Sequence, residues 1–128
     1  MNKMNYLESL KNYRIRLEDI PVEERTEEIY LEAVRRNGEM LKYVENQTEE
    51  ICWEAIKRNP MAYKYIKNQT EEMSLYTVRR NGEMLKYVEN QTEEMCLEAI
   101  KFRGGLLEHV KNPTEKICFT ASMLPIFS

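Results

Sequence analysis

The chain contains 128 residues, of which 42% are hydrophobic and 32% are charged, so its length fits one folded domain or one short repeat array. Acidic residues outnumber basic ones by 22 to 19, and the net charge of -3 argues against a general nucleic-acid binder, which usually carries a basic surface. The longest apolar-leaning stretch, Ile117–Phe127, contains polar residues and a proline and is too short to cross a bilayer. The N-terminus lacks the apolar core of a signal peptide, so we expect a soluble, cytoplasmic chain without membrane partners.

The segment before Thr26 predicts an N-terminal helical cap. The apolar residues of Tyr6–Arg16 predict one helix, and Leu17–Pro21 predicts a short second helix. Leu17 and Ile20 resemble in spacing the apolar residues of the second helices in the segment that follows. We therefore expect this cap to cover the first unit of a repeat array.

A repeat with a period of 22 residues begins at Thr26 and continues without gaps. A shortened last unit begins at Thr114, and residues 34–50 are identical to residues 78–94, which indicates duplication of a two-repeat block. The period divides the chain into three segments. These are an N-terminal capping helix (residues 1–25), four 22-residue helical repeats (26–113) and a truncated C-terminal repeat or cap (114–128).

The first half of each unit predicts an α-helix. In the second unit, Ile51, Cys52, Ala55 and Ile56 form an apolar stripe with helical spacing. Glutamates in the first turn and basic residues in the last turn match the helix dipole at both ends. The threonine that opens the unit, or the asparagine two residues before it, is the expected N-cap.

The second half of each unit predicts a brief second helix, Glu39–Val44 in the first unit. Glycine at the Asn37-Gly38 break and at its equivalents predicts a left-handed C-cap of the preceding helix. In the second unit, Pro60 fits the first position of the next helix, and Asn59 is expected to cap it.

These predictions define the fold class as all-α, a short α-solenoid of 22-residue helix-pair repeats with an N-terminal helical cap. Helices of this length are marginal in water when isolated. A single unit also cannot enclose its own apolar side. Stacking the units buries a continuous core, which is how repeat arrays become stable.

The repeat unit resembles those of the domain-of-unknown-function 4116 family. The resemblance rests on the TEE start, the Ala-(Val/Ile)-(Lys/Arg) centre, the Asn-Gly break and the Leu-Lys-Tyr-Val end, and it extends from Thr26 to about Ala121. It implies an all-helical repeat fold in a family of bacteria and of large viruses that infect amoebae. It implies no catalytic or binding residue. The fourth unit departs from the pattern at Phe102–Gly105, where we expect a distorted helix junction.

The side chains predict neither an enzyme nor a metal or cofactor site. His109 is the single histidine and takes the repeat position of tyrosines, so we expect it to fill the same half-buried site. Cys52, Cys96 and Cys118 share one repeat position, where small core side chains with reduced thiols are expected. Recurrent glutamate pairs at the helix starts are explained by the helix dipole.

Three features are candidate partner surfaces. The basic residues at the ends of the first helices predict a basic edge, and one tyrosine per second helix predicts a tyrosine stripe. The apolar C-terminal tail either folds back or meets another molecule. The basic edge consists of Arg35, Arg36, Lys57, Arg58, Arg79, Arg80 and Lys101, the tyrosine stripe of Tyr43, Tyr65 and Tyr87, and the tail contributes Ile126 and Phe127.

The leading functional hypothesis is a non-catalytic module that binds a protein partner, since solenoids present extended binding surfaces. A concrete version, suggested by the family resemblance, is a phage- or virus-type inhibitor of a host or defence protein. The alternative is a binder of nucleic acid or of another acidic ligand through the basic edge, which the net negative charge disfavours. A homodimer through the C-terminal repeat is a further alternative.

Overall fold

A computed structural model describes residues 5–124, and this part of the chain contains α-helices and 3-10 helices but no strand, as the all-α prediction requires. The α-helices are α1 (Tyr6–Lys11), α2 (Glu27–Arg36), α3 (Glu49–Arg58), α4 (Glu71–Arg80), α5 (Glu93–Phe102) and α6 (Glu115–Ser122). The 3-10 helices are Leu17–Asp19, Val22–Glu24, Gly38–Tyr43, Pro60–Tyr65, Gly82–Tyr87 and Gly104–His109.

The chain divides into two compact units, Met1–Lys67 and Asn68–Ser128. In the first unit, α2 packs against α1 and α3, and the 3-10 helix of each repeat packs against the α-helix of the same repeat. In the second unit, α5 packs against α4 and α6 in the same manner. Each unit is therefore a stack of helix pairs, which is the solenoid arrangement predicted from the period.

A threonine caps every repeat α-helix. The Thr48 hydroxyl accepts a hydrogen bond of 3.2 Å from the Ile51 amide, and the other opening threonines do the same three residues ahead. Such a cap contributes about 1 kcal/mol to helix stability. Of the two predicted caps, the threonine is confirmed.

The junction between the two helices of a repeat differs from the prediction. None of the described glycines has a positive φ, so the left-handed C-cap expected at Gly38 is wrong. Asn37 is extended instead, with a φ of -146°, and its side-chain oxygen accepts a 3.0 Å hydrogen bond from the Glu39 amide. One asparagine thus ends the α-helix and caps the next helix. Asn59 and Pro60 play the predicted roles in the second repeat.

Close packing explains the glycine at this junction. A Cβ atom on Gly38 would lie 2.5 Å from the Ala55 carbonyl oxygen, and one on Gly82 would lie 2.8 Å from the Phe102 Cβ. Both distances are shorter than non-bonded atoms tolerate. Glycine therefore lets the backbone approach the neighbouring repeat, although it supplies no unusual dihedral angle here.

The second helices are 3-10 helices, and the one predicted at Glu39–Val44 spans Gly38–Tyr43. In the fourth repeat, Arg103 replaces the capping asparagine and provides no side-chain cap. Its backbone is nevertheless extended, with a φ of -161°, and the helix Gly104–His109 follows as in the other repeats. The predicted distortion of this junction is therefore wrong, because the backbone geometry does not require the cap.

The N-terminal cap contains a shorter helix than predicted, since α1 ends at Lys11. Tyr13 has a φ of 61°, and the Arg14 amide donates a 2.9 Å hydrogen bond to the Ser9 carbonyl. This pattern is a Schellman motif with tyrosine in the position that glycine usually holds. Leu17 and Ile20 are buried, as their spacing predicts.

Candidate functional site

The unit Asn68–Ser128 contains a polar groove with a volume of about 610 Å³. Its walls are the N-terminal ends of α4, α5 and α6 and the turns that precede α5 and α6, and buried Ser74, Cys96 and Ile117 contribute to its lining. The complete lining consists of Gln69, Thr70, Glu71, Ser74, Glu89, Asn90, Gln91, Thr92, Glu93, Cys96, Lys111, Asn112, Thr114 and Ile117.

The glutamine that ends each of the first three repeats fixes the turn of the following repeat. The Gln91 amide nitrogen donates to the His109 carbonyl at 2.9 Å, and its amide oxygen accepts from the Lys111 amide at 2.9 Å. Gln69 makes the equivalent hydrogen bonds, of 2.7 Å to the Tyr87 carbonyl and 3.0 Å from the Glu89 amide. We call these bridges the glutamine clamps. They hold the turns that form the walls of the polar groove.

Two asparagines at one repeat position line the polar groove with side-chain amides that are not used in hydrogen bonds within the described part of the chain. The side-chain amides of Asn90 and Asn112 line the polar groove and have no hydrogen-bond partner among residues 5–124. Both residues are exposed, and they occupy the same position in successive repeats. A primary amide offers donors and an acceptor side by side. The groove therefore presents two repeated sites that can bind a ligand's polar groups.

The polar groove is acidic. Glu71, Glu89 and Glu93 line it, against a single basic residue, Lys111. The Lys111 ammonium donates to the Glu89 carbonyl at 2.9 Å, and the Glu93 carboxylate accepts from the Thr114 hydroxyl at 2.9 Å. Glu71 and Glu89 form no ion pair within the described part of the chain. The groove therefore favours a ligand with positive charge.

The cysteines are free thiols, but they do not share one environment. Cys52 and Cys96 are buried, and burial, aided by the Glu49 carboxylate, raises the pKa of the Cys52 thiol to about 11. Burial, aided by the Glu93 carboxylate, also raises the pKa of Cys96. Cys118 is exposed, so its predicted core position is wrong. Within residues 5–124, no helix follows α6 to cover it.

Much of the basic edge is engaged in ion pairs. The Arg35 guanidinium lies 3.5 Å from the Glu54 carboxylate, in the next repeat of the same unit. Arg79 likewise lies 2.9 Å from Glu94 and 3.9 Å from Glu98. These pairs reduce the positive potential that a nucleic-acid backbone would meet.

Three further residues of the basic edge contact aromatic rings, and one of them also forms an ion pair. The Arg36 guanidinium stacks on the Tyr13 ring at 4.0 Å and pairs with Glu32 at 3.1 Å. The Lys57 ammonium lies 5.9 Å from the centre of the Trp53 ring, and Arg80 lies over the ring of Tyr76. The remaining members, Arg58 and Lys101, are exposed.

Each tyrosine of the stripe carries the ammonium of the preceding lysine over its ring. The distance to the ring centre is 5.2 Å for the pairs Lys42–Tyr43, Lys64–Tyr65 and Lys86–Tyr87. Tyr43 is 48% exposed, whereas Tyr65 and Tyr87 are half-buried. His109 occupies the same repeat position and is also half-buried, as predicted. The stripe is therefore a mixed aromatic and basic surface, most accessible at Tyr43.

The C-terminal end presents apolar side chains on α6 and just beyond it. Phe119 is 67% exposed and Met123 is 69% exposed. Ile126 and Phe127, which the sequence analysis assigned to a partner surface, lie outside the described residues. Across the part of the chain that is described, no three His, Cys, Asp or Glu side chains are grouped to hold a metal ion. The same residues include no helix that is both long and apolar enough to cross a membrane.

The comparisons with known proteins agree with the repeat pattern. Residues 26–70 match the model of a family described as a domain of unknown function (DUF4116). These residues are the first two repeats and the threonine that opens the third. Searches of the curated proteins and of the solved structures found no match.

Proposed function

We propose that this chain, whose residues 26–70 are repeats of the domain of unknown function (DUF4116) type, is a non-catalytic helical-repeat module that binds a protein partner. The polar groove carries the proposal. It combines a volume of about 610 Å³ with the unpartnered amides of Asn90 and Asn112 and the unpaired carboxylates of Glu71 and Glu89. Such a lining suits the many hydrogen bonds and charged contacts of a protein ligand.

The alternative function, binding of nucleic acid or of another acidic ligand, has weaker support. It relies on the basic edge, where carboxylates neutralise Arg35, Arg36 and Arg79. The polar groove would repel phosphates because its lining holds three glutamates and one lysine. Only Arg58 and Lys101 of the basic edge have neither an ion pair nor a ring contact within the described part of the chain.

A concrete form of the proposal is a phage- or virus-type inhibitor of a host or defence protein, acting in the cytoplasm of the host. The resemblance to repeats of bacteria and large viruses supports this form by analogy. The free thiols of Cys52, Cys96 and Cys118 suit a reducing compartment.

Site-specific photocrosslinking tests the proposal. A photoreactive phenylalanine analogue placed at residue 111 should capture a protein, because this exposed position lines the polar groove and the proposed contacts do not use its side chain. The matched control is the same analogue at residue 67, the equivalent lysine in the second repeat, which does not line the groove. A protein adduct at residue 111 that is absent at residue 67 supports the proposal.

Nucleic-acid binding predicts a different result in a gel-shift assay with a mixed-sequence DNA duplex. A shift that weakens steeply with salt, together with no protein adduct at residue 111, would favour the basic edge and contradict the proposal.

A further inference from the structure

The polar groove has features that specify its ligand more closely than "a protein". We propose that it binds an extended, basic segment of the partner, with the amides of Asn90 and Asn112 on the segment's main chain and the carboxylates of Glu71 and Glu89 on its Lys or Arg side chains. This inference rests on the proposed function.

The main-chain contact follows from the chemistry of the two asparagines. A peptide unit presents one N–H donor and one C=O acceptor, and a primary amide complements both. The unpartnered amides of Asn90 and Asn112 are one repeat apart in the same unit. Neighbouring helices pack about 8–10 Å apart. An extended chain advances about 3.3 Å per residue, so the two amides meet peptide units about three residues apart.

The glutamine clamps hold the turns that carry Asn90 and Asn112. Gln69 and Gln91 use both ends of their side-chain amides on the following turn, at distances of 2.7 to 3.0 Å. The turns are therefore held in place before any ligand arrives, which lowers the entropic penalty of ordering the site. The clamps bind main-chain groups of these turns, and the side-chain amides of Asn90 and Asn112 take no part in them.

The charge of the polar groove selects a basic segment. Glu71 and Glu89 are exposed and unpaired within residues 5–124, and Lys111 is directed to the Glu89 carbonyl by its 2.9 Å hydrogen bond. A Lys or Arg side chain supplies the missing partner of either carboxylate. An acidic segment would meet three glutamates instead.

A random library of twelve-residue peptides displayed on phage provides the probe. The full chain is used as the immobilised target, and clones that bind the support without the chain are removed. We expect the remaining peptides to be enriched in Lys and Arg. A fluorescein-labelled peptide from this set should bind the double variant about tenfold or more weakly, because two pairs of hydrogen bonds are lost.

Two further variants separate the parts of the proposal. The E71Q/E89Q variant should weaken binding about threefold to tenfold and reduce its dependence on salt. The N46A/N68A variant makes the same change at the same repeat position, but neither residue lines the polar groove. It should bind the peptide like the unaltered chain. Because all four asparagines are exposed, the melting temperatures should agree among the variants.

Specific results would overturn the inference. These are enrichment of acidic or purely apolar peptides, enrichment of none, or equal affinity for N90A/N112A and N46A/N68A. If photocrosslinking still captures a protein while any of these results holds, the proposed function stands and this ligand assignment fails. If neither a peptide nor a protein adduct is obtained, both fail.

Discussion

Thr77 occupies a repeat position that alanine holds in the other three complete 22-residue repeats. Ala33, Ala55 and Ala99 are its equivalents, and all four side chains are buried. The Thr77 hydroxyl has no hydrogen-bond partner in the described part of the chain. A buried, unsatisfied hydroxyl destabilises the folded state by about 1–3 kcal/mol.

Replacement of this hydroxyl by a methyl group should stabilise the protein. We expect Thr77→Val to raise the free energy of unfolding by about 1–2 kcal/mol, as measured by urea denaturation. Valine keeps the side-chain volume and removes the unsatisfied hydroxyl oxygen. Thr120→Val is the matched control, since the Thr120 hydroxyl already donates a 2.8 Å hydrogen bond to the Lys116 carbonyl. Equal effects of the two substitutions would contradict the role assigned to Thr77.

The buried thiol of Cys52 makes stability depend on pH. Its pKa is about 11 in the folded chain against an ordinary value of 9.0, mainly because burial disfavours the thiolate. Between these values the unfolded chain has lost a proton that the folded chain retains. The free energy of unfolding should therefore fall as pH rises from 9.0 towards about 11.

Urea unfolding across this range, compared with the Cys52→Ser variant, measures the contribution of that thiol. In the variant, the free energy of unfolding should fall less over this pH range, because a serine hydroxyl does not titrate there. Serine also occupies the equivalent repeat position at residue 74, so the site accepts it. Cys118→Ser is the control, since this side chain is exposed. An unchanged decline in Cys52→Ser would mean that other groups cause it.

At the scale of single elements, the helix junctions depend on close backbone approach. Gly38→Ala would place a Cβ atom 2.5 Å from the Ala55 carbonyl oxygen, and backbone atoms cannot move aside easily. We expect a loss of about 1–3 kcal/mol in the free energy of unfolding, measured by thermal or urea denaturation.

Gly105→Ala, in the second helix of the fourth repeat, is the control for Gly38→Ala. Its Cβ atom would meet only the flexible end of the Arg103 side chain, at 3.0 Å. Neither glycine has a positive φ, so both alanines fit the backbone. Gly105→Ala should be nearly neutral, and a similar loss for both variants would indicate that steric contact does not explain Gly38.

The glutamine clamps could not be predicted from the sequence, although the residues that form them recur visibly. The Asn-Gln pairs at residues 46–47, 68–69 and 90–91 were visible as a repeated turn. Their partners, such as the His109 carbonyl for Gln91, are backbone groups in the next repeat. A backbone group carries no residue-specific signal, so the sequence could not reveal the clamp or the free Asn90 beside it. The recurrence of the Asn-Gln pair at the end of each of the first three repeats was the sequence feature that pointed to a shared role.

At the scale of the whole molecule, the period predicted more than the individual residues did. The gapless period predicted the order of the helices, because each 22-residue repeat must bury its apolar side against a neighbouring repeat. It did not predict the ion pairs of Arg35 and Arg79, since these depend on side-chain reach across the stack. It also misplaced Cys118, because a repeat position is buried only where another helix covers it.

Within residues 5–124, no helix follows α6 to cover its outer side, and this leads to a prediction about self-association. Phe119 and Met123 are 67% and 69% exposed and lie four residues apart at the C-terminal end of the described chain. Exposed apolar neighbours of this kind favour contact with another surface. We expect the chain to form dimers reversibly through α6, seen as a weight-average mass that rises with concentration in sedimentation equilibrium.

The F119S/M123S variant should remain a monomer at concentrations where the unaltered chain forms dimers. Its melting temperature at low concentration should stay close to that of the unaltered chain, because both side chains are mainly in solvent. Tyr13→Ser, which removes an 81% exposed ring at the other end of the sequence, should leave the dimer intact. Dimers that persist in F119S/M123S but disappear in Tyr13→Ser would place the contact on the N-terminal cap instead.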